Sequence, residues 1–176
     1  MFFQVTNLDE NIVQINTTKI RANLTDGVTE FLEGHTDMLG LIENDIVLTE
    51  SMVEGRTVKK EFLIQLGIII VSNGGLTVEV PKGTYVIIHS KELVELSGPT
   101  DEKKVNDLVA KVAKKTIELE KELAKINLSL SDLTDEEPRN LLFKKIEAAK
   151  VRASFNDVEF FTKALEFLKE RRKLPS

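Results

Sequence analysis

From Phe2 to about Leu96 apolar and polar residues alternate in short runs, and the runs are separated by turn-forming residues. FFQVT, NIVQI, KIRANL, VTEFL, MLGLI, DIVLT, KKEFLIQL, IIIVS, LTVEV and TYVIIH read as strands, in which successive side chains point to opposite faces. Breaks fall at Glu33-Gly34, Glu43-Asn44, Glu54-Gly55, Asn73-Gly74-Gly75 and Pro81-Lys82-Gly83. Asn-Gly-Gly between β-branched runs predicts a hairpin there, because tight primed turns need positive φ. About ten short strands at this spacing predict an antiparallel sandwich or barrel. IIIVS, apolar up to its serine, predicts a strand covered on both faces.

After Ser97-Gly98-Pro99-Thr100 the period changes. Thr100 reads as an N-cap, with Asp101 and Glu102 placing negative charge in the first turn against the helix dipole. Val105, Val109, Val112, Thr116, Leu119, Leu123 and Ile126 follow at steps of four and three, the spacing of a helix packed along a partner. SLSDLTDEEP interrupts the seam, and Thr134 with Glu137 has the spacing of a capping box for a second helix. Ile146, Ala149, Ala153, Val158, Phe161, Leu165 and Leu168 form that helix's apolar stripe. The expected fold is therefore an all-β N-terminal sandwich of about ten short strands, residues 1–97, followed by a C-terminal α-helical hairpin, residues 98–176. Phe143, Phe155, Phe160, Phe161 and Phe167 supply more aromatic surface than one two-helix seam requires, so some should pack on the β module or on another protein.

Composition narrows the chemistry. The chain has no cysteine, which excludes disulfides, thiol catalysis and thiolate metal sites. Its two histidines, His35 and His89, leave any zinc or iron site dependent on carboxylates, and no cluster suggests one. Walker, dinucleotide-binding, H-E-x-x-H and G-x-S-x-G motifs are absent, so no catalytic, cofactor-binding or metal-ligating residue is assigned. No apolar run approaches the roughly 20 residues that cross a bilayer, and no secretory leader is expected. The N-x-[ST] matches at Asn16, Asn23 and Asn127 then read as chance. A net charge of −5 divides unevenly: residues 1–100 carry seven basic and fourteen acidic side chains, the remainder seventeen and fifteen. An acidic first half does not suit nucleic acid, whereas the mildly basic second half suits an acidic protein surface.

One stretch carries a family likeness. Phe31-Leu32-Glu33-Gly34-His35-Thr36-Asp37-Met38-Leu39 is similar to the I-L-P-G-H-x-P-L-L stretch of the epsilon subunit of bacterial and chloroplast F-type ATP synthases, called delta in mitochondria. Val5-Thr6-Asn7-Leu8-Asp9 loosely resembles that family's first turn. Phe62 to Val71 followed by Asn73-Gly74-Gly75-Leu76-Thr77-Val78 resembles its later strand pair. The order, β module before two helices, is the family's order. The motif likeness covers about the first eighty residues and departs at Glu33, where the family has proline, and at Leu66-Gly67-Ile68, where it has Gly-Gly-Phe.

The resemblance implies a non-catalytic rotor subunit. Its β module would bind the gamma subunit and rest on the ring of c subunits, and its helical arm would meet an acidic loop of the beta subunit and regulate hydrolysis. It implies a structural turn at Gly34 and His35, with His35 fixing the turn by hydrogen bonding. Partner contacts would come from Lys144, Lys145, Lys150, Arg152, Arg171, Arg172 and Lys173. Exposed ion pairs contribute under about 1 kcal/mol each, so only a cluster could bias the arm. The family's nucleotide motif, I-D-x-x-R-A at the start of the first helix, has no Arg-Ala counterpart in Pro99 to Val105, and Val151-Arg152-Ala153 lies in the second helix. No ATP binding is expected, nor any other cofactor, nucleic acid or direct membrane insertion. The expected place is peripheral, in the F1 sector on the cytoplasmic side of an energy-converting membrane. Two rivals are an epsilon-like subunit of an F1-like ATPase without a proton ring, and an unrelated β-sandwich adaptor.

Overall fold

A computed structural model describes residues 1–8, 12–74, 83–97, 102–131 and 138–173, with side chains except at 102, 104, 129–131, 138–141 and 171–173. The chain divides into two compact units, Met1–Pro99 and Thr100–Ser176. Among the described residues the first holds β1 (Phe2–Thr6), β2 (Ile12–Asn16), β3 (Lys19–Leu24), β4 (Gly27–Leu32), β5 (Met38–Ile42), β6 (Asp45–Val53), β7 (Arg56–Gln65), β8 (Gly67–Asn73), β9 (Thr84–His89) and β10 (Glu92–Glu95). The second holds α1 (Glu102–Ser131) and α2 (Pro138–Lys173). Neither helix is long and apolar enough to cross a membrane.

The strands form two five-stranded sheets, ordered β2-β1-β9-β8-β5 and β10-β7-β6-β3-β4. Phe3, Val5, Ile69, Val71, Val86 and Ile88 of the first sheet meet Ile20, Ala22, Phe31, Val47, Phe62 and Ile64 of the second in one fully buried core. Phe3 and Phe62 join the two layers with ring centroids 5.8 Å apart. This is the sandwich that the alternating pattern predicts: the inward half of each strand is apolar and buries against the other sheet. One pairing departs from antiparallel. β1 runs parallel to β9, with Phe3 opposite Val86. Parallel neighbours need a long crossover, and here most of the first unit lies between them in sequence.

Of the turn expected at Asn73-Gly74-Gly75, only Asn73 and Gly74 are among the described residues. β8 pairs with β9, Asn73 opposite Thr84, and the neck is closed by the Gly74 N–H donating to the Gly83 carbonyl at 3.1 Å. Leu76 to Val80, read as a strand, falls outside the described residues. So do the Thr100 cap and the Thr134–Glu137 capping box. β6 and β7 are joined by Glu54 and Gly55, both at positive φ (51° and 76°), as a two-residue primed turn requires.

In the second unit α2 starts on Pro138, whose missing N–H costs nothing at a first helical position. Val105 and Leu119 of α1 are buried, as are Ala148, Val151, Phe160, Phe161, Ala164, Leu165 and Leu168 of α2. The stripes are shifted from the sequence reading: Leu108 is half-buried while Val109 is exposed, and Ile146, Ala149 and Ala153 are exposed while Ala148 and Val151 are buried. Lys115 Nζ pairs with the largely buried Asp157 Oδ2 at 3.0 Å, and Lys111 Nζ sits 4.1 Å from the Phe161 ring centroid. An ion pair and a cation–π contact thus bridge the helices beside the apolar seam.

Candidate functional site

Alternation along the strands also defines what each sheet shows on its outer side. On the β10-β7-β6-β3-β4 sheet the outer face is laced with charge. Lys19 Nζ lies 2.8 Å from Glu30 Oε1 and Lys59 Nζ lies 3.1 Å from Glu50 Oε1. The Lys19 ammonium holds the Glu30 carboxyl below its usual range.

The other sheet differs. Its outward positions run in cross-strand rows. Ile12, Thr6, His89, Ile68 and Leu41 form one, and Gln14, Gln4, Ile87, Ile70 and Leu39 the next. Asn16, Phe2, Tyr85 and Ser72 complete the face. None of these is Asp, Glu, Lys or Arg, in a chain that is 30% charged. Several are apolar and exposed: Leu39 69%, Ile12 58%, Leu41 52% and Ile68 45%. Solvation by water is a poor outcome for so much apolar surface. Depletion of charge over an apolar centre is the signature of a protein–protein interface.

This face answers the IIIVS expectation. β8 is not covered on both sides: Ile69 and Val71 face the core, while Ile68 and Ile70 face outward. Consecutive apolar residues marked two apolar surfaces on one strand, one of them outward. At the same end lies Leu66, which links β7 in one sheet to β8 in the other at φ 47° and is 59% exposed. An apolar residue in the left-handed region carries strain of roughly 1–2 kcal/mol. Leu66→Gly is therefore expected to melt within about 1 kcal/mol of the parent, relief of strain offsetting added unfolded-state entropy. It is also expected to weaken any complex built on this face. A thermal melt and a partner retention assay on the same sample check both.

The Gly34-His35 stretch is the crossover from β4 in one sheet to β5 in the other. Gly34 has φ 84°, a conformation suited to glycine, and its N–H donates to Thr84 Oγ1 at 2.7 Å. The His35 N–H closes the turn onto the Leu32 carbonyl at 3.1 Å. His35 Nδ1 lies 2.8 Å from the Thr36 carbonyl oxygen, and its ring packs edge-on against Phe31 with centroids 5.1 Å apart. Glu33 ties the loop to the rest of the unit. Its Oε1 accepts from the Thr84 N–H at 2.9 Å and its Oε2 lies 2.7 Å from the Met1 amine. Sequence reading gave that role to the glycine and histidine alone; the acid at the third position was visible only as a departure.

The Met1 amine, and then the Thr84 N–H, hold the Glu33 carboxyl below its usual range. A depressed carboxyl stabilises the fold above its unfolded value and loses that contribution as pH falls through the folded value. Glu33→Gln is expected to melt slightly below the parent at pH 7, by under about 1 kcal/mol for so exposed a carboxylate. The two curves should converge in acid. A gap that persists unchanged to acid pH would refute the coupling.

Among the described side chains, the basic residues assigned to partner contacts lie on more than one face of α2. Lys145 and Arg152 are exposed and seven residues apart, so they share a helix face. Lys150, also exposed, lies elsewhere on α2, in a shallow cleft between the helices with Glu122, Lys125 and Glu147. Lys144 is half-buried. Arg171, Arg172 and Lys173 close α2, and their side chains lie outside those described. Among the described residues no three His, Asp or Glu side chains gather as a metal site would need.

No family model matches the chain, and no curated protein matches it. The chain is similar in structure to chains of two solved assemblies. One is the cryo-EM structure of the Euglena gracilis mitochondrial ATP synthase, OSCP/F1/c-ring in rotational state 1. There the likeness covers 93% of this chain and 79% of that one, at 20% identity and a TM-score of 0.46. The other is the cryo-EM structure of the Tetrahymena thermophila mitochondrial ATP synthase central stalk and c-ring. It covers 94% of this chain and 96% of that one, at 16% identity and a TM-score of 0.42.

Proposed function

We propose that this chain is an epsilon-type central-stalk subunit, equivalent to mitochondrial delta, of an F-type ATP synthase or ATPase. In this reading the outer face of the β2-β1-β9-β8-β5 sheet seats the gamma-type shaft subunit. The β unit hands torque on to the membrane ring of c subunits. The helical arm meets the catalytic head through exposed cations such as Lys145 and Arg152 and regulates ATP hydrolysis. The protein itself makes and breaks no bond, and it stays peripheral to the membrane.

The observation that carries the reading is the uncharged, apolar outer face on the unit that also holds the Glu33-Gly34-His35 crossover. A soluble adaptor would also want such a face. The motif order and the two-helix unit that follows in sequence favour the stalk. An F1-like ATPase without a proton ring would use the same face.

Gentle affinity purification of the tagged full chain from its own cells, with mass spectrometry of what co-purifies, tests this. Alpha, beta, gamma and c subunits are expected. Alpha, beta and gamma without the ring would point to the F1-like motor instead. Absence of gamma- and beta-type subunits would overturn the stalk reading in favour of an adaptor.

A further inference from the structure

α2 carries two apolar lines, and the second is only half used. Ala148, Val151, Phe155, Val158 and Leu165 fall on one line of the helix, at steps of three, four and seven, and are buried or half-buried. α1 lies against it, with Val151 beside Ile126. Leu142, Ile146, Ala149 and Ala153 fall on another line, at steps of four, three and four, and all are exposed. Leu142 is 60% exposed and Ile146 43%, with Phe143 next to them at 65%. Seven residues beyond Ala153 the same line reaches Phe160, and then Ala164, at 1% and 0%. The chain thus buries the C-terminal half of this stripe and leaves its N-terminal half bare. Ala149 and Ala153 keep the bare half shallow, so another helix axis can come close there.

What borders the stripe names its occupant. Lys145 and Arg152, both exposed, run along one edge, and Lys150 along the other. The acid of this stretch, Glu147, lies roughly 130° around the helix from the stripe, where it lines the cleft with Glu122, Lys125 and Lys150. We propose that the bare stripe seats an amphipathic helix of another protein, apolar along its contact line, acidic at the positions beside that line, and packed along α2. An apolar line bordered by charge of one sign is how paired helices choose their partners. A second copy of this chain is the poorer occupant, because stripe laid on stripe sets cation against cation at the bordering positions. The proposal goes beyond the stalk reading and does not rest on it: that reading names a complex, and this one the chemistry of a single helix.

Labelled synthetic peptides titrated into the purified full chain test this. Each is a run of heptads with leucine at the core positions and either glutamate or lysine at the flanking ones. The glutamate peptide should bind saturably, and more weakly as salt rises; the lysine peptide should bind about tenfold more weakly or worse. Ile146→Glu and Ala149→Glu place a good helix former at exposed positions, and each should weaken the glutamate peptide about tenfold by setting a carboxylate in the apolar line. Lys145→Glu combined with Arg152→Glu should reverse the preference toward the lysine peptide. That reversal keeps the test decisive, since a loosened helix loses binding but does not gain a new preference. Val28→Glu, which changes an exposed apolar residue of β4, should bind as the parent does. No saturable binding of the glutamate peptide, equal binding of both peptides, or binding unmoved by Ile146→Glu and by charge reversal would overturn the proposal. Recovery of gamma- and beta-type subunits from cells is a separate measurement, so the two readings fail separately.

Discussion

Ile68→Asp is expected to leave the β unit folded and to strip it of its partner. Ile68 is 45% exposed on the outer face, so its carboxylate is hydrated in the free protein. The folded-state cost is then about 1 kcal/mol, the spread of strand propensities. On docking, the same carboxylate would be buried next to Leu41, with no cation among the described outward strand positions to pair with it. Burying an unpaired charge at an interface costs at least about 3 kcal/mol, which is more than a hundredfold in affinity. Ile68→Thr separates the effects, since it keeps the β-branched backbone preference and adds no charge. It should lose far less binding. Leu41→Asp, on an edge strand where backbone demands are lighter, should match Ile68→Asp. A complex retained within threefold by both aspartate variants would mean that this face is not the docking surface.

The second large effect is on stability. Phe62 is fully buried and its ring meets Phe3 across the sandwich. Phe62→Ala should cost about 3–5 kcal/mol, against about 5–15 kcal/mol for an ordinary domain. The chain has no tryptophan and one tyrosine, Tyr85, which lies in β9. Tyrosine fluorescence therefore reports the β unit, while helical circular dichroism is weighted to α1 and α2. The denaturant midpoint should fall sharply by fluorescence and much less by the helical signal. A loss below 1 kcal/mol by fluorescence would contradict the central place given to this ring.

Some of these features were legible in advance because they depend on near neighbours. Glu54-Gly55 announced its turn through the positive φ that only a few residue types tolerate. Helices at the far end declared themselves by period. Their seam was less secure, for Leu108 and Val109 are adjacent and both apolar, so either continues a stripe at steps of three and four. Only the partner helix selects Leu108. Likewise no local signal announced the pairing of Asn73 with Thr84, because it is a contact between residues distant in sequence.

By itself the sequence determined the class of the protein: strands before helices, an acidic first half, no thiol chemistry and no recognisable catalytic motif. These follow from composition and from periods of two and about three and a half, which are local properties of the chain. Tertiary structure alone decided which strand belongs to which sheet, since successive strands cross between layers at Leu32 to Asp37, at Leu66 and elsewhere. That assignment turns scattered apolar residues on β5, β8 and β9 into one uncharged face around His89. A surface is a sum over strands distant in sequence, and no window along the chain contains it.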